Sequence, residues 1–423
     1  MSLHQQKRQS LIVASIITIV RYYDYAIFGL SASILSKHFM PQGNDSYQLS
    51  IFFALFAIST IAKPIGSVIF GRIGDLAGRV VSVKLSTAFA FFSTSLIAFL
   101  PEYSTIGAWS VLCLGLVRML FLASLAAETD AIKIYVAELV DKKRRHLAIG
   151  VVSFCSQIGV LFASFAFNFS VHYSQVDWLW RINFIIGGVL GLVVILLRSK
   201  LNESQLFIKS KEDQAIEVDG HVIKIILKNK TKFFLATIIS GMFGGGYQFL
   251  VIFLNTFLGN VSGIIDKIEG ANNNIWLISI YAVSSLFAGF ISDKTRQLKQ
   301  VIFALCLSVF CAISMAFVTG YNFTSHAILV FLVPLYWIPS NILIQSTFTT
   351  KVRMRMYSLS HSLGSMLLST TTPFFCMLIW DWSGIVSLVL AYFIFQLVVL
   401  IFALIYLIKK DYINSFEIDI KTS

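Results

Sequence analysis

Seven ionisable residues, Arg21, Asp24, Lys63, Arg118, Glu128, Asp130 and Lys133, sit inside long apolar stretches of a 423-residue chain. Placing such a charge at the centre of a lipid-embedded helix costs roughly 2.5–3.5 kcal/mol, so each needs a partner or a watery cavity. All seven fall in the first, second and fourth apolar runs. The second half of the chain offers neutral groups instead: Gln248, Asn255, Gln345, His361 and Thr370 to Thr372. Four positive and three negative charges leave one net positive charge, which suits a small carboxylate or a zwitterion. Arg118 can grip a carboxylate in bidentate fashion. Asp24 and Glu128 are expected to be buried carboxyls beside cations, two influences that oppose each other, and this makes them the candidate proton carriers. The i,i+3 pairs Arg21–Asp24 and Asp130–Lys133 equally suit mutual neutralisation. Tyr22, Tyr23 and Tyr25 are candidate cavity rings, of the kind that can cage a quaternary ammonium.

The elements that position these residues follow from composition. The chain is 57% hydrophobic and 13% charged, with mean hydropathy +0.79, against about a quarter charged in soluble domains. Backbone polar groups in lipid must be satisfied internally, and the apolar runs are helix-length rather than alternating ten-residue strands. The expectation is an all-α integral membrane protein with twelve transmembrane helices in two six-helix bundles. The bundles are expected at 1–197 and 233–408, joined by a polar linker at 198–232 and followed by a tail at 409–423. The net charge of +12 is dispersed in short loops, which reads as topology rather than as nucleic-acid binding. Lysines and arginines gather on the side of the termini, with Lys37, Arg181 and Lys267 opposite, so both termini are expected in the cytoplasm. The first apolar run carries Arg21 and Asp24 and lacks a cleavage site, so it is expected to be a retained span. The five cysteines lie in apolar runs without metal-ligand spacing. No zinc-protease, nucleophile-elbow or nucleotide-binding motif occurs, so neither an enzyme nor a cofactor is expected.

One charged, glycine-punctuated interruption stands out: F-G-R-I-G-D-L-A-G-R over residues 70–79. Gly71, Gly74 and Gly78 would allow a tight turn, and Asp75 and Arg79 stand where one helix ends and the next begins. A phosphate cradle would need a preceding strand, and none is expected. The G-x-x-x-D spacing returns at Gly289 and Asp293 after the eighth span, as in a chain built of two related halves.

This interruption resembles the loop between the second and third helices of major facilitator transporters. Further motifs resemble the metabolite:proton symporters of that superfamily, including proline/betaine, α-ketoglutarate, citrate and shikimate carriers. They are Y-Y-D-Y-A-I-F-G from Tyr22, A-K-P-I-G with Lys63 in place of Arg, Arg118 ten residues before Glu128, W-R-I-N-F from Trp180, and L-N-E-S-Q-L-F from Leu201. The sequence departs from the family pattern at Arg21, Leu76, Phe121, Ala126, Ala127 and Ser346.

The resemblance implies alternating access by two rocking bundles, with a substrate and proton pathway through Arg21, Tyr22, Tyr23, Asp24, Tyr25, Lys63, Arg118 and Glu128. It implies a gating loop of Gly71, Asp75, Gly78 and Arg79, with Asp293 as its counterpart, and Asp75 clasping the start of the eleventh span. The expected function is proton-coupled import of a small organic acid or zwitterionic osmolyte across a bacterial-type inner membrane. The expected partners are the substrate, the proton and the bilayer, with a monomer as the working unit. A transport-incompetent sensor of the same fold and a metabolite or drug exporter are the alternatives.

Overall fold

The computed structural model describes residues 3–76, 79–125, 136, 142–173, 175–176, 178–199, 226–227, 229–295, 297–348 and 353–409. Among them the chain is helical, without strands. In chain order the spanning elements are α1 (Leu3–Leu30), α2 (Asp45–Ser59 continued by Ala62–Leu76), α3 (Arg79–Ile97), α4 (Ala108–Leu125), α5 (Arg145–His172) and α6 (Leu179–Ser199). They continue with α7 (Lys230–Ser262), α8 (Lys267–Ser292), α9 (Gln297–Phe317), α10 (Phe323–Ser346), α11 (Arg353–Gly364 continued by Thr372–Ser383) and α12 (Val386–Lys409). Among the described residues, ten of these contain a stretch long and apolar enough to cross a bilayer. Within α3 the described apolar stretch is the shorter Leu85–Ile97.

Twelve spans put the start of α1 and the end of α12 on one face, the terminus face. The aromatic girdle marks the other: Trp109, Trp178 and Trp382 are exposed near helix ends there, where an indole meets both lipid and water. Phe303, Phe310 and Phe402 project outward at mid-helix, as residues facing lipid do. Three helix starts on this opposite face are capped by short polar side chains that accept from orphan backbone N–H groups. Asn44 takes Tyr47 N at 2.8 Å, Asp266 takes Ile268 N at 3.1 Å and Asn322 takes Ser325 N at 2.8 Å.

Two proline breaks shape the interior. Pro64 has no N–H to offer the Thr60 carbonyl one turn earlier, and α2 is interrupted between Ser59 and Ala62. Pro373 stands in the same relation to Ser369, and α11 passes through a π-turn at Ser365–Ser369 before resuming at Thr372. The two breaks touch, with the Thr370 hydroxyl 3.1 Å from that of Thr60. A further π-turn, Gln248–Phe253, follows the Gly241–Gly246 run in α7. Those glycines serve close packing: a Cβ at Gly241 would meet the Gly364 carbonyl of α11 at 2.7 Å.

The turn expected over 70–79 narrows to residues 77–78, which lie outside the described residues. The α2 helix continues to Leu76 and α3 begins at Arg79, so Gly71 and Asp75 belong to the last turns of a helix and Arg79 opens the next. Glycine is tolerated there because the final turn of a helix gives up little hydrogen bonding. Gly78 lies outside the described residues, as do Glu128, Asp130, Lys133 and most of the expected linker.

Candidate functional site

The α1 helix is pinned on two sides. Gly159 lets the α5 backbone press against α1, where an added Cβ would run into the Ile19 carbonyl and Tyr23 N. On another side α6 approaches so closely that a Cβ at Gly187 would strike the Asp24 carboxyl. Neighbouring α1 residues are thereby sent to different surroundings, and the charges expected to form one constellation are divided in two.

The first group lies at the junction of the bundles. Tyr25 is its centre. The Arg118 guanidinium stands 5.6 Å from the Tyr25 ring centroid, and Lys63 Nζ stands 5.4 Å from it. Arg118 is 1% exposed and also faces the rings of Phe28, Phe56 and Phe121 at 4.3, 5.5 and 4.8 Å. Such rings stabilise a desolvated cation by about 0.5–2 kcal/mol each at most, so the aromatic cage offsets part of its burial. Its Nη2 donates to the Tyr25 carbonyl at 3.3 Å, and its Nε has no hydrogen-bond partner among the described residues. Across the junction, Lys63 Nζ donates to Ser365 Oγ of α11 at 2.7 Å, and Gln248 Nε2 of α7 donates to the Tyr25 hydroxyl at 3.0 Å. Ser365 and Gln248 are each the first residue of a π-turn. Tyr22 meets Tyr25 edge-on, and nearby the Tyr247 hydroxyl donates to Gln157 Oε1 of α5 at 3.4 Å.

The second group lies behind α1, against α3 and α6. Arg21 Nη2 donates to Thr87 Oγ1 at 3.3 Å. Arg21, Asp24, Thr87, Phe91 and Gly191 line a pocket too narrow for a water molecule. Asp24 is 3% exposed and its Oδ1 has no hydrogen-bond partner among the described residues. The ion pairs among those residues lie elsewhere, at Asp45, Glu102 and Asp293, so Asp24 feels Arg21 and Arg118 through space rather than by direct pairing. Tyr23 also departs from its expected place: its hydroxyl donates to the Asn183 carbonyl of α6 at 2.8 Å, holding the first bundle together instead of lining the junction.

The sequence pointed to Gln248 but missed Gln157, Tyr247 and Ser365. Gln157 is a lone amide in an apolar run, which is a usable signal. The position of Ser365 depends on the break in α11 and carries none.

A family model described as Major Facilitator Superfamily matches residues 14–367. The chain belongs to this superfamily. Among this facilitator's relatives is a Staphylococcus haemolyticus protein named "Putative proline/betaine transporter", 29% identical over 306 residues, which are 70% of this chain and 64% of that protein. This stretch is therefore less than two thirds of that relative's length. The citrate-proton symporter of Klebsiella pneumoniae is 25% identical over 377 residues, 86% of this chain and 83% of its own. The xylose transporter from E. coli, in a partially occluded inward-open conformation, superposes with a TM-score of 0.70 at 18% identity, covering 94% of this chain and 96% of its own. The facilitator is thus a multi-pass integral membrane protein with the twelve-helix fold.

Both faces of the facilitator are bridged between bundles. On the terminus face Asp293, at the end of α8, caps the start of α5. Its carboxylate accepts from His146 N and Leu147 N, each at 3.0 Å, and lies 2.8 Å from His146 Nδ1. Gly150 and Gly289 permit this approach, since a Cβ at Gly289 would meet the His146 carbonyl at 2.7 Å. On the opposite face Asp381 of α11 accepts from the hydroxyls of Ser46 and Ser50 of α2, and Asn168 Nδ2 of α5 donates to Asn272 Oδ1 of α8 at 2.8 Å. The expected clasp of Asp75 on α11 involves side chains outside the described set.

Proposed function

We propose that this facilitator is a proton-coupled symporter that imports a small carboxylate-bearing metabolite by alternating access, with both termini in the cytoplasm of a bacterial-type cell. The observation that carries the reading is the convergence of Lys63 and Arg118 on one ring at the junction of the bundles. Two cations there can hold a carboxylate that both bundles contact, and this is how a substrate makes bundle rocking depend on its presence. The relatives named as proline/betaine and citrate carriers are consistent with a carboxylate. Betaine's quaternary ammonium finds less support, because the face of Tyr25 is engaged by Arg118 and Lys63 and the Tyr23 hydroxyl is tied to α6.

Asp24 is the proposed proton site, a buried carboxyl with a free oxygen next to two arginines but outside the junction. Glu128 remains the second candidate from the sequence. Asp293 on α5 is the proposed terminus-face gate, and Asp75 with Arg79 its counterpart. Inward proton movement supplies about 1.4 kcal/mol per pH unit and about 2.3 kcal/mol per 100 mV, enough together for accumulation. The test is uptake of labelled proline, citrate and succinate into proteoliposomes with and without an acid exterior, in the wild type and in Lys63→Met. Acid-driven accumulation of at least one acid that Lys63→Met abolishes is expected. Binding without flux under every gradient would instead favour a sensor.

A further inference from the structure

We propose that the substrate carries, beside its carboxylate, an N–H or O–H donor that is met by the side-chain carbonyl of Gln248. The proposal rests on the symporter reading and specifies the chemical class of its substrate.

The junction is built asymmetrically. The first bundle brings cations to Tyr25, Lys63 from α2 and Arg118 from α4. The opposing helix α7 brings an amide. Gln248 is 2% exposed, its Nε2 is used on the Tyr25 hydroxyl, and its Oε1 has no hydrogen-bond partner among the described residues. A buried carbonyl left without a donor is costly, and native structures keep such a group where something else supplies the donor. Arg118 Nε is the complementary case, a buried charged donor without an acceptor. Both open groups belong to side chains hydrogen-bonded to Tyr25, Gln248 through its hydroxyl and Arg118 through its carbonyl. The nearby amide oxygen, Gln157 Oε1, is also turned to acceptance, taking a long 3.4 Å bond from Tyr247.

A ligand that satisfies this arrangement is anionic at the end facing the first bundle and a hydrogen-bond donor at the end facing α7. Amino acids with an N–H and hydroxy acids fit. A carboxylate whose only other group is a fully alkylated ammonium or a bare hydrocarbon leaves Gln248 Oε1 open. Because Gln248 opens the π-turn of α7, meeting its oxygen also ties the ligand to the point where that helix changes pitch.

The experiment uses two matched pairs on the full chain in proteoliposomes with an imposed proton gradient: proline against betaine, and citrate against tricarballylate, which is citrate without its hydroxyl. Apparent affinities are measured by uptake and by ligand-induced thermal stabilisation. The donor-bearing member of each pair is expected to be favoured roughly 10- to 100-fold, the discrimination expected of a buried polar group that loses its partner. In Gln248→Leu that ratio is expected to fall towards one. Equal handling of both members by the wild type overturns the proposal, as does a ratio that survives in Gln248→Leu. The wild-type ratio needs no variant, so a misfolded Gln248→Leu leaves a decisive measurement. If none of the four compounds is taken up or stabilises the protein, the symporter reading fails for these acids and the proposal fails with it. Uptake without discrimination overturns the proposal alone.

Discussion

Replacing Asp293 by Asn should open the terminus face. In the wild type the carboxylate divides its two oxygens between His146 N and Leu147 N and stands beside the His146 ring. An asparagine keeps one acceptor oxygen, so one of the two backbone bonds is lost, at about 1 kcal/mol for a helix N-cap contact. The negative charge at the α5 N-terminus is lost as well, worth about 0.3–1 kcal/mol when exposed and up to about 2 kcal/mol when partly buried. Asp293 is partly buried, with 10% side-chain exposure, so the upper part of that range applies and the sum is roughly 1.5–3 kcal/mol. Because α5 and α8 must separate for this face to open, the whole amount acts on the closed state alone and shifts the closed-to-open ratio roughly 10- to 150-fold.

The measurement is a distance distribution between spin labels at Lys143 and Lys294, exposed positions on either side of the contact, in a cysteine-free background. Asp293→Asn should move population to the longer distance. Asp381→Asn, which weakens the opposite face at Ser46 and Ser50, should move it the other way and by less, since those donors are neutral hydroxyls at an exposed site. An Asp293→Asn distribution that matches the wild type, under conditions where Asp381→Asn shifts it, would refute the gate.

Three further perturbations follow from the geometry. Gly289→Val places a side chain against the His146 backbone, so the same labels should report an opened terminus face with Asp293 intact; an unchanged distance would mean that the close approach is not needed for closure. Asp24→Asn should abolish acid-driven accumulation in proteoliposomes while substrate exchange continues, and undiminished accumulation would remove Asp24 from the proton pathway. Glu102, on the opposite face, is partly buried, which raises its pKa, but hydrogen bonds and positive charge from His38 and Arg181 outweigh this and hold it below the usual carboxylate range. A carboxyl with a lowered folded-state pKa adds stability at neutral pH that disappears as pH falls through that pKa. Glu102→Gln should therefore lower Tm at pH 7 relative to wild type, with the gap beginning to close near about pH 4 and vanishing only once pH has fallen through the lowered folded-state pKa.

Much of this architecture is legible in the sequence because the bilayer enforces it. A helix-length apolar run has one stable form in lipid, so the succession of spans and the odd charges inside them can be read directly. The division of those charges cannot. Successive residues on α1 are about 100° apart, which puts Asp24, Arg21, Tyr25 and Tyr22 in sequence around roughly half of the helix. No periodicity tells where the boundary falls between the side facing α3 and α6 and the side facing α7. That boundary is set by the glycines of other helices, Gly159 on α5 and Gly187 on α6, whose close approach fixes the rotation of α1. One constellation in sequence thus became two in space, with Arg21 and Asp24 on one side and Tyr25, Lys63 and Arg118 on the other.

The proline breaks lie between these cases. Pro64 and Pro373 are visible in the sequence, and each implies an interruption about one turn earlier. That the two interruptions meet, Thr60 on Thr370 and Lys63 on Ser365, is a tertiary fact. It bears on mechanism. Across the junction Lys63 and Tyr25 contact Ser365 and Gln248, which are the residues where α11 and α7 change pitch. Under the proposed function, a carboxylate drawn to Lys63 would compete with Ser365 for the same ammonium, so that substrate entry would act directly on the turn at which α11 bends. Helices of regular pitch would pass such a local exchange of partners along as little more than a side-chain movement. A π-turn holds an extra residue whose backbone bonds can be redistributed, and there the same exchange can change the direction of the helix. The proposed function would therefore place binding and bending on the same few residues, which is what a carrier needs if its substrate is to decide which face opens.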